Sequence, residues 1–273
     1  MKSPLRESET HTSRIPVLMY HEVTNNPERQ KKIRRIDPNY SLLTQKFEEQ
    51  MEFLYENGYE TVSPDEIIHH QANEKKICML TFDDGFVGNH EFAFPVLKRC
   101  QFTATIFVFV GYISTDRYMN WDQLRELASN GFSIQSHTMT HSPLGELSEK
   151  EIFYELSESK KIIEKEIGKE VKYLSLPHGS WNKNVFRIAD EVGYVGIFTS
   201  WPYEINLTIN PIRIGRIPIK YGYNIDKFHQ IVTKRSELYY KMKSENFIKN
   251  IVKKIIGLNN YRKIYRFIYR VEL

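Results

Sequence analysis

Residues 77–85, Ile77-Cys78-Met79-Leu80-Thr81-Phe82-Asp83-Asp84-Gly85, decide the reading of this chain. A short apolar run that stops at turn residues fits a buried strand of a parallel sheet, and this one stops at two carboxylates. A second run, Phe132-Ser133-Ile134-Gln135-Ser136, stops at His137-Thr138-Met139-Thr140-His141. The carboxyl ends of parallel strands open on one face, where sites form. The two segments therefore bring two adjacent carboxylates and two imidazoles together. That set can hold a divalent metal and leave one carboxylate free to move protons, so the chain reads first as a metal-dependent hydrolase. Neither segment carries the argument alone. Asp-Asp-Gly is ordinary turn chemistry, and the histidine pair lacks the glutamate of a zinc-protease helix.

Outward from these strands, helical and extended patterns alternate, which predicts an α/β fold with a largely parallel sheet or barrel. Ile15 to Tyr20 reads as a buried strand ending at His21-Glu22, and Ala104 to Val110 as another. Phe47, Met51 and Leu54 mark one helical face, as do Leu124, Leu127 and Ala128 further on. Ser63-Pro64-Asp65-Glu66 and Ser148 with Glu151 are capping boxes that open two more helices. Tyr173 to Leu176 is a short strand before Pro177-His178-Gly179, a helix follows around Phe186, Ala189 and Val192, and strands fall near 194–198 and 214–219.

The 273 residues are 41% hydrophobic and 26% charged, which excludes a disordered or fibrous chain and fits a soluble globular one. Cys78 and Cys100 do not make a disulfide framework. Residues 1–14 are polar with no apolar segment behind them, and no eighteen-residue apolar run occurs, so a cytoplasmic protein is expected. Between 234 and 273 eleven Lys/Arg face three Glu. With the whole chain at +4, the body before the tail is acidic by four charges. Three parts follow: a polar tail over 1–14, a catalytic domain over 15–232, and a basic amphipathic helical extension over 233–273. The extension suits peripheral association with an anionic membrane face or a helical hairpin packed on the body. No nucleic-acid module accompanies its charge.

The chain resembles the polysaccharide deacetylases of carbohydrate esterase family 4. Thr81-Phe82-Asp83-Asp84-Gly85 matches the family's T-F-D-D-G motif, Ser136 to His141 matches its histidine metal motif, and Pro177-His178-Gly179 resembles the P-Y-G part of its third motif. Pro16 to His21, with Phe47, Leu54 and Gly58-Tyr59, looks like the branch acting on poly-N-acetylglucosamine and related exopolysaccharides. The resemblance spans about residues 15–220. It implies a distorted, incomplete (β/α) barrel, followed here by the basic helical extension. It also implies a divalent ion, zinc first with cobalt, manganese or nickel as alternatives, and an N-acetylated glycan or glycan precursor as substrate. Asp83 becomes the general base, and Asp84, His137 and His141 become the metal ligands. The His178 backbone N–H becomes an oxyanion donor, and Pro177, Gly179 and Arg216 join the substrate-binding set.

The chain departs from the family pattern in three places. The third motif usually begins with an arginine that pairs with the catalytic aspartate, and here that position is Ser175; Arg213 or Arg216 are the candidates to replace it. His178 stands where a tyrosine is usual. No late L-x-H segment supplies a general acid, which leaves His21, then His178. Trp181 and Trp201 suit either sugar stacking or burial. Two other readings stay open: hydrolysis of another amide, imide or O-acetyl ester, and a non-catalytic glycan-binding protein that keeps the metal site.

Overall fold

The computed structural model describes residues 15–26, 38–68, 75–202, 205–206 and 209–233, with isolated positions between 244 and 264. The tail over 1–14, His11, the pair His69-His70 and most of the extension over 233–273 lie outside the described residues. The strands are β1 (Val17–Tyr20), β2 (Glu22–Thr24), β3 (Ser41–Leu43), β4 (Tyr59–Thr61), β5 (Lys76–Phe82), β6 (Thr105–Val108), β7 (Ser133–Ser136), β8 (Tyr173–Ser175), β9 (Gly196–Thr199), β10 (Ile205–Asn206), β11 (Ile212–Gly215) and β12 (Ile217–Pro218). The helices are α1 (Thr44–Glu56), α2 (Pro64–Ile68), α3 (Phe94–Arg99), α4 (Trp121–Ser129), α5 (Glu149–Ile167), α6 (Lys183–Val192) and α7 (Ile225–Thr233).

The sheet runs β10-β11-β9-β8-β7-β6-β5-β1-β12, with β4 added beside β5, and every pairing is parallel except β10 with β11. One segment sits at both ends of that order. Residues 212–215 pair with β9, and residues 217–218 pair with β1. The segment 212–218 is thus the stave that nearly closes the sheet into a distorted barrel, and Arg216 is the residue between its two pairings. A small parallel pair, β2 with β3, stands apart from the wall; the apolar patterning alone does not reveal these three-residue strands.

Side-chain alternation assigns the two faces of the wall. Leu18, Leu80, Ile106, Ile134, Leu174 and Ile197 join helical residues such as Phe47, Leu127 and Ile152 in the outer core. Val17, Met79, Phe107, Tyr173, Phe198, Ile212 and Ile214 form a second cluster that fills the barrel interior. Continuing each inward series by two reaches the site: Met79 and Thr81 lead to Asp83, Tyr173 leads to Ser175, and Ile212 and Ile214 lead to Arg216.

The helices begin and end where capping residues stand. Asn120 and Gln123 form a reciprocal capping box on α4. Ser148 and Glu151 do so on α5, which ends on left-handed Gly168 at φ 71°. Ser148→Ala removes the acceptor for the Glu151 N–H, so stability falls by about 1 kcal/mol. Urea denaturation measures this, and an unchanged midpoint would show that the cap contributes nothing.

Candidate metal and catalytic site

The predicted site residues converge at the carboxyl ends of β1, β5, β7 and β8. Asp83 follows β5, with its backbone N–H bonded to the Tyr20 carbonyl of β1 at 3.0 Å. His137 follows β7, and its backbone N–H is bonded to the Val108 carbonyl at 2.8 Å. Asp84, His137 and His141 offer one carboxylate oxygen and two ring nitrogens that all lie within 4.8 Å of one another. Asp84 Oδ1 is 3.4 Å from His137 Nε2 and 3.2 Å from His141 Nε2.

The donor set fits a divalent cation on two grounds. Asp84 Oδ1 is buried and has no hydrogen-bond partner, a costly state for a carboxylate oxygen that a cation would relieve. The His137 Nδ1 lies 2.9 Å from the Ser175 carbonyl. A carbonyl only accepts, so Nδ1 carries the proton and the Nε2 lone pair of the neutral ring faces the cluster. Two imidazoles and one carboxylate suit zinc and similar ions. Burial opposes the charge on Asp84, but His141 and His137 hold its carboxyl well below the usual range. Burial opposes the His137 imidazolium as well, and Asp83 and Asp84 outweigh it and raise that group.

Asp83 lies inside the barrel beside the cluster, its Oδ2 4.0 Å from His137 Nε2. It meets Arg216 in a two-pronged pair, Nη1 to Oδ1 at 2.6 Å and Nη2 to Oδ2 at 2.8 Å. Arg216 is fully buried and Asp83 nearly so, at 0% and 3% exposure. The remaining guanidinium N–H groups donate to Thr81 Oγ1, Ser175 Oγ and the Thr199 carbonyl, so all five donors are used. Burial raises the Asp83 carboxyl, but Arg216 and then His137 hold it below its ordinary value. Arg216, grouped with the substrate-binding residues in the sequence reading, has every donor committed to the base and its surroundings. Arg213, its rival as counter-charge, lies 4.0 Å over the Phe186 ring on the other face of the stave.

His21 and His178 lie beside this centre. His21 follows β1, half-buried, its ring 4.5 Å from that of Tyr40 and its Nδ1 buried without a hydrogen-bond partner. Burial lowers its pKa, against the pull of Asp84 and Asp83. His178 is exposed at φ 57° in the turn Pro177–Gly179, its ring 4.6 Å from His141. Pro177 is buried, and Gly179 takes φ 61°, a conformation that costs glycine little. Trp181 is 42% exposed and packs on Phe186, while Trp201 is half-buried. Asp84, Thr138, His141 and His178 all have φ between 57° and 74°, so left-handed backbone at non-glycine residues gathers at the site.

Sequence reasoning missed Glu155. It lies in α5 at 5% exposure, and its carboxylate accepts from the residues between the two histidines. The signal was an acid beside Ile152 and Leu156 on a helix's apolar face.

The family model described as polysaccharide deacetylase matches residues 70–197. The Bacillus subtilis protein YxkH, assigned to the polysaccharide deacetylases, is 31% identical over 68% of this chain and 65% of its own length. The Staphylococcus aureus poly-beta-1,6-N-acetyl-D-glucosamine N-deacetylase is 25% identical over 66% of this chain and 68% of its own. The crystal structure of a polysaccharide deacetylase from Bacillus cereus superposes with TM-score 0.70 at 26% identity, covering 80% of this chain and 69% of that one. The chain thus spans about two thirds of the length of these relatives. Shared motifs, the barrel and the converging aspartates and histidines agree: the chain belongs to the polysaccharide deacetylase family.

Proposed function

We propose that the chain is a divalent-metal-dependent N-deacetylase that releases acetate from N-acetylated amino sugars of a surface polysaccharide or its precursor. The observation that carries this is the pairing of Asp83 with Arg216 beside the Asp84, His137 and His141 cluster. It separates a carboxylate kept ionised for proton transfer from one left free to bind a cation. The poly-N-acetylglucosamine substrate named for the S. aureus relative supports the sugar class.

A divalent ion held by Asp84, His137 and His141, zinc first, would polarise the acetamide carbonyl and lower the pKa of water to about 7. Asp83 takes a proton from the attacking water, and Arg216 keeps that carboxylate oriented and ionised while it waits. The His178 backbone N–H is assigned as a donor to the oxyanion. The C–N bond then breaks, acetate forms, and the departing amine needs a proton. His21 is the imidazole assigned to give it. With burial lowering its pKa, its protonated form is a stronger acid than free histidine. The Arg216 pair gives Asp83 the charged partner that position 175 lacks, which supports the enzymatic reading over a binding-only one.

Asp83→Asn should abolish acetate release from N-acetylglucosamine oligomers, and so should chelation, with activity restored by added zinc or cobalt. Full-rate release by Asp83→Asn would remove Asp83 from the base role.

His21→Gln should lower amide hydrolysis by about 10²–10⁴-fold, the scale of general acid catalysis. An aryl acetate, whose leaving group needs no proton, should still be cleaved. Equal losses on both substrates would argue against His21 as the acid, and parent-like preference for the ester would favour the esterase reading.

The guanidinium lowers the Asp83 carboxyl, so removing it lets burial raise that carboxyl. In Arg216→Gln the acid limb of the kcat/KM profile therefore moves to higher pH. Activity at neutral pH falls by about 10²-fold, the scale of a misplaced catalytic group. An acid limb that stays in place would disconnect Arg216 from the base.

A further inference from the structure

Between His137 and His141 the chain makes a tight loop whose backbone is left-handed at both Thr138, φ 73°, and His141, φ 60°. Such a loop does not hold itself, because non-glycine residues resist this conformation. In consequence the Met139 and Thr140 N–H groups point to one side, the arrangement that makes an anion-binding concavity in a backbone. The anion is Glu155. Its Oε2 accepts from the Met139 N–H at 2.9 Å and from the Thr140 N–H at 2.9 Å, and its Oε1 accepts from Thr140 Oγ1 at 2.6 Å. Among the described residues no Lys, Arg or His forms an ion pair with this buried carboxylate, so the loop alone answers its charge.

The surroundings fix both partners in place. Glu155 and Ser159 stand one turn apart on α5. Ser159 Oγ lies 2.8 Å from Ser136 Oγ, which accepts the Thr138 N–H at 3.1 Å. On the opposite side the Val110 and Gly111 N–H groups donate to the Thr138 and Met139 carbonyls at 3.1 and 2.8 Å. A Cβ at Gly111 would lie 2.8 Å from the Met139 oxygen, so glycine permits that approach. The loop is gripped along its length, and the one charged grip is Glu155.

We propose that Glu155 is a positioning residue of the metal site: its carboxylate sets the loop that carries His141 Nε2 to Asp84 and His137. Glu155 touches neither metal ligand nor substrate, and it acts through Met139 and Thr140. The proposal rests on the metal reading given above. Glu155→Gln keeps an oxygen for the two N–H groups, and Thr140 can turn its hydroxyl toward Ser142 Oγ, 2.8 Å away. Geometry should therefore survive in Glu155→Gln and fail in Glu155→Ala.

The test uses the full chain and Co²⁺ as probe, read by chelator competition and by the visible absorption of the bound ion. Glu155→Ala should weaken Co²⁺ binding by about 10–100-fold, the scale for groups that orient metal ligands, and change the spectrum. Glu155→Gln should keep the parent spectrum with a smaller loss. Parent-like affinity and spectrum in Glu155→Ala would overturn the proposal. So would an equal loss in Ser148→Ala, which weakens the same helix without touching the loop. If Glu155→Ala does not fold, Thr140→Ala at an exposed position removes one of the three bonds, and unchanged binding and spectrum there would overturn the proposal equally. Amide exchange at Met139 and Thr140 in metal-free protein separates the two readings. If the parent binds no Co²⁺, the metal reading fails. Slow exchange at these amides that Glu155→Gln preserves would still support the loop role, and fast exchange in the parent would end it.

Discussion

Two buried charges that answer each other at the seam of the barrel organise this protein. A carboxylate or a guanidinium alone inside an apolar wall is prohibitively costly, and breaking such a pair costs about 3–5 kcal/mol. Asp83 and Arg216 avoid that cost by direct two-point contact, and Thr81, Ser175 and Thr199 take up the remaining guanidinium protons. Lysine has three donors and no planar fork, so it could not satisfy the same partners. The pair also joins β5 to the stave at 212–218, whose two ends belong to opposite ends of the sheet order. The contact that keeps the proposed base ionised thus also ties the end of β5 to the closing stave.

The site is built against local backbone preference. Four non-glycine residues, Asp84, Thr138, His141 and His178, hold positive φ, each at a cost of about 1–3 kcal/mol. What turns Asp84 away from Asp83, despite their being sequence neighbours, is this backbone reversal. It sends one carboxylate to the histidines and leaves the other with Arg216. Two chemically identical side chains acquire separate tasks through conformation, and their partners then hold them there. The Glu155 grip on the histidine loop solves the same problem a second time, with an anion on backbone N–H groups in place of a cation on a side chain.

The parts of this site readable in sequence were those set by local pattern. Apolar runs that stop at Asp83-Asp84 and at His137 announce strand ends, and period-two alternation from Met79 through Thr81 places Asp83 inside the wall. The helices with capping boxes, at Ser63, Asn120 and Ser148, fall where side-chain chemistry puts them, although Asn120 was not read as a cap. Contacts between distant segments were not readable. Arg216 lies 133 residues from Asp83, and nothing local to it states a partner. In the structure Arg216 continues the inward series of Ile212 and Ile214 while Arg213 packs on Phe186, and this separates the two candidates that the sequence left open. Glu155 was hidden by its setting, because a helix's apolar face is read for its hydrophobic residues. The strands β2 and β3 are too short for any period to register.

Ser175 shows why a motif is a weaker criterion than a geometry. Judged by its third motif, the chain lacks the arginine that should meet the catalytic aspartate. In the fold, β8 and the closing stave both present an inward side chain to Asp83. With Arg216 supplying the guanidinium, a small hydroxyl is what position 175 requires. Ser175 Oγ donates to Asp83 Oδ2 at 3.1 Å and accepts from Arg216 Nη2 at 2.8 Å, so it completes the pair. The Ser175 carbonyl meanwhile fixes the ring of His137. A second arginine at 175 would set two cations around one carboxylate and crowd the Phe107 and Phe198 rings that flank Arg216. The physical requirement is a buried positive charge within two-point reach of Asp83. Which strand delivers it is free, and the serine follows from that choice.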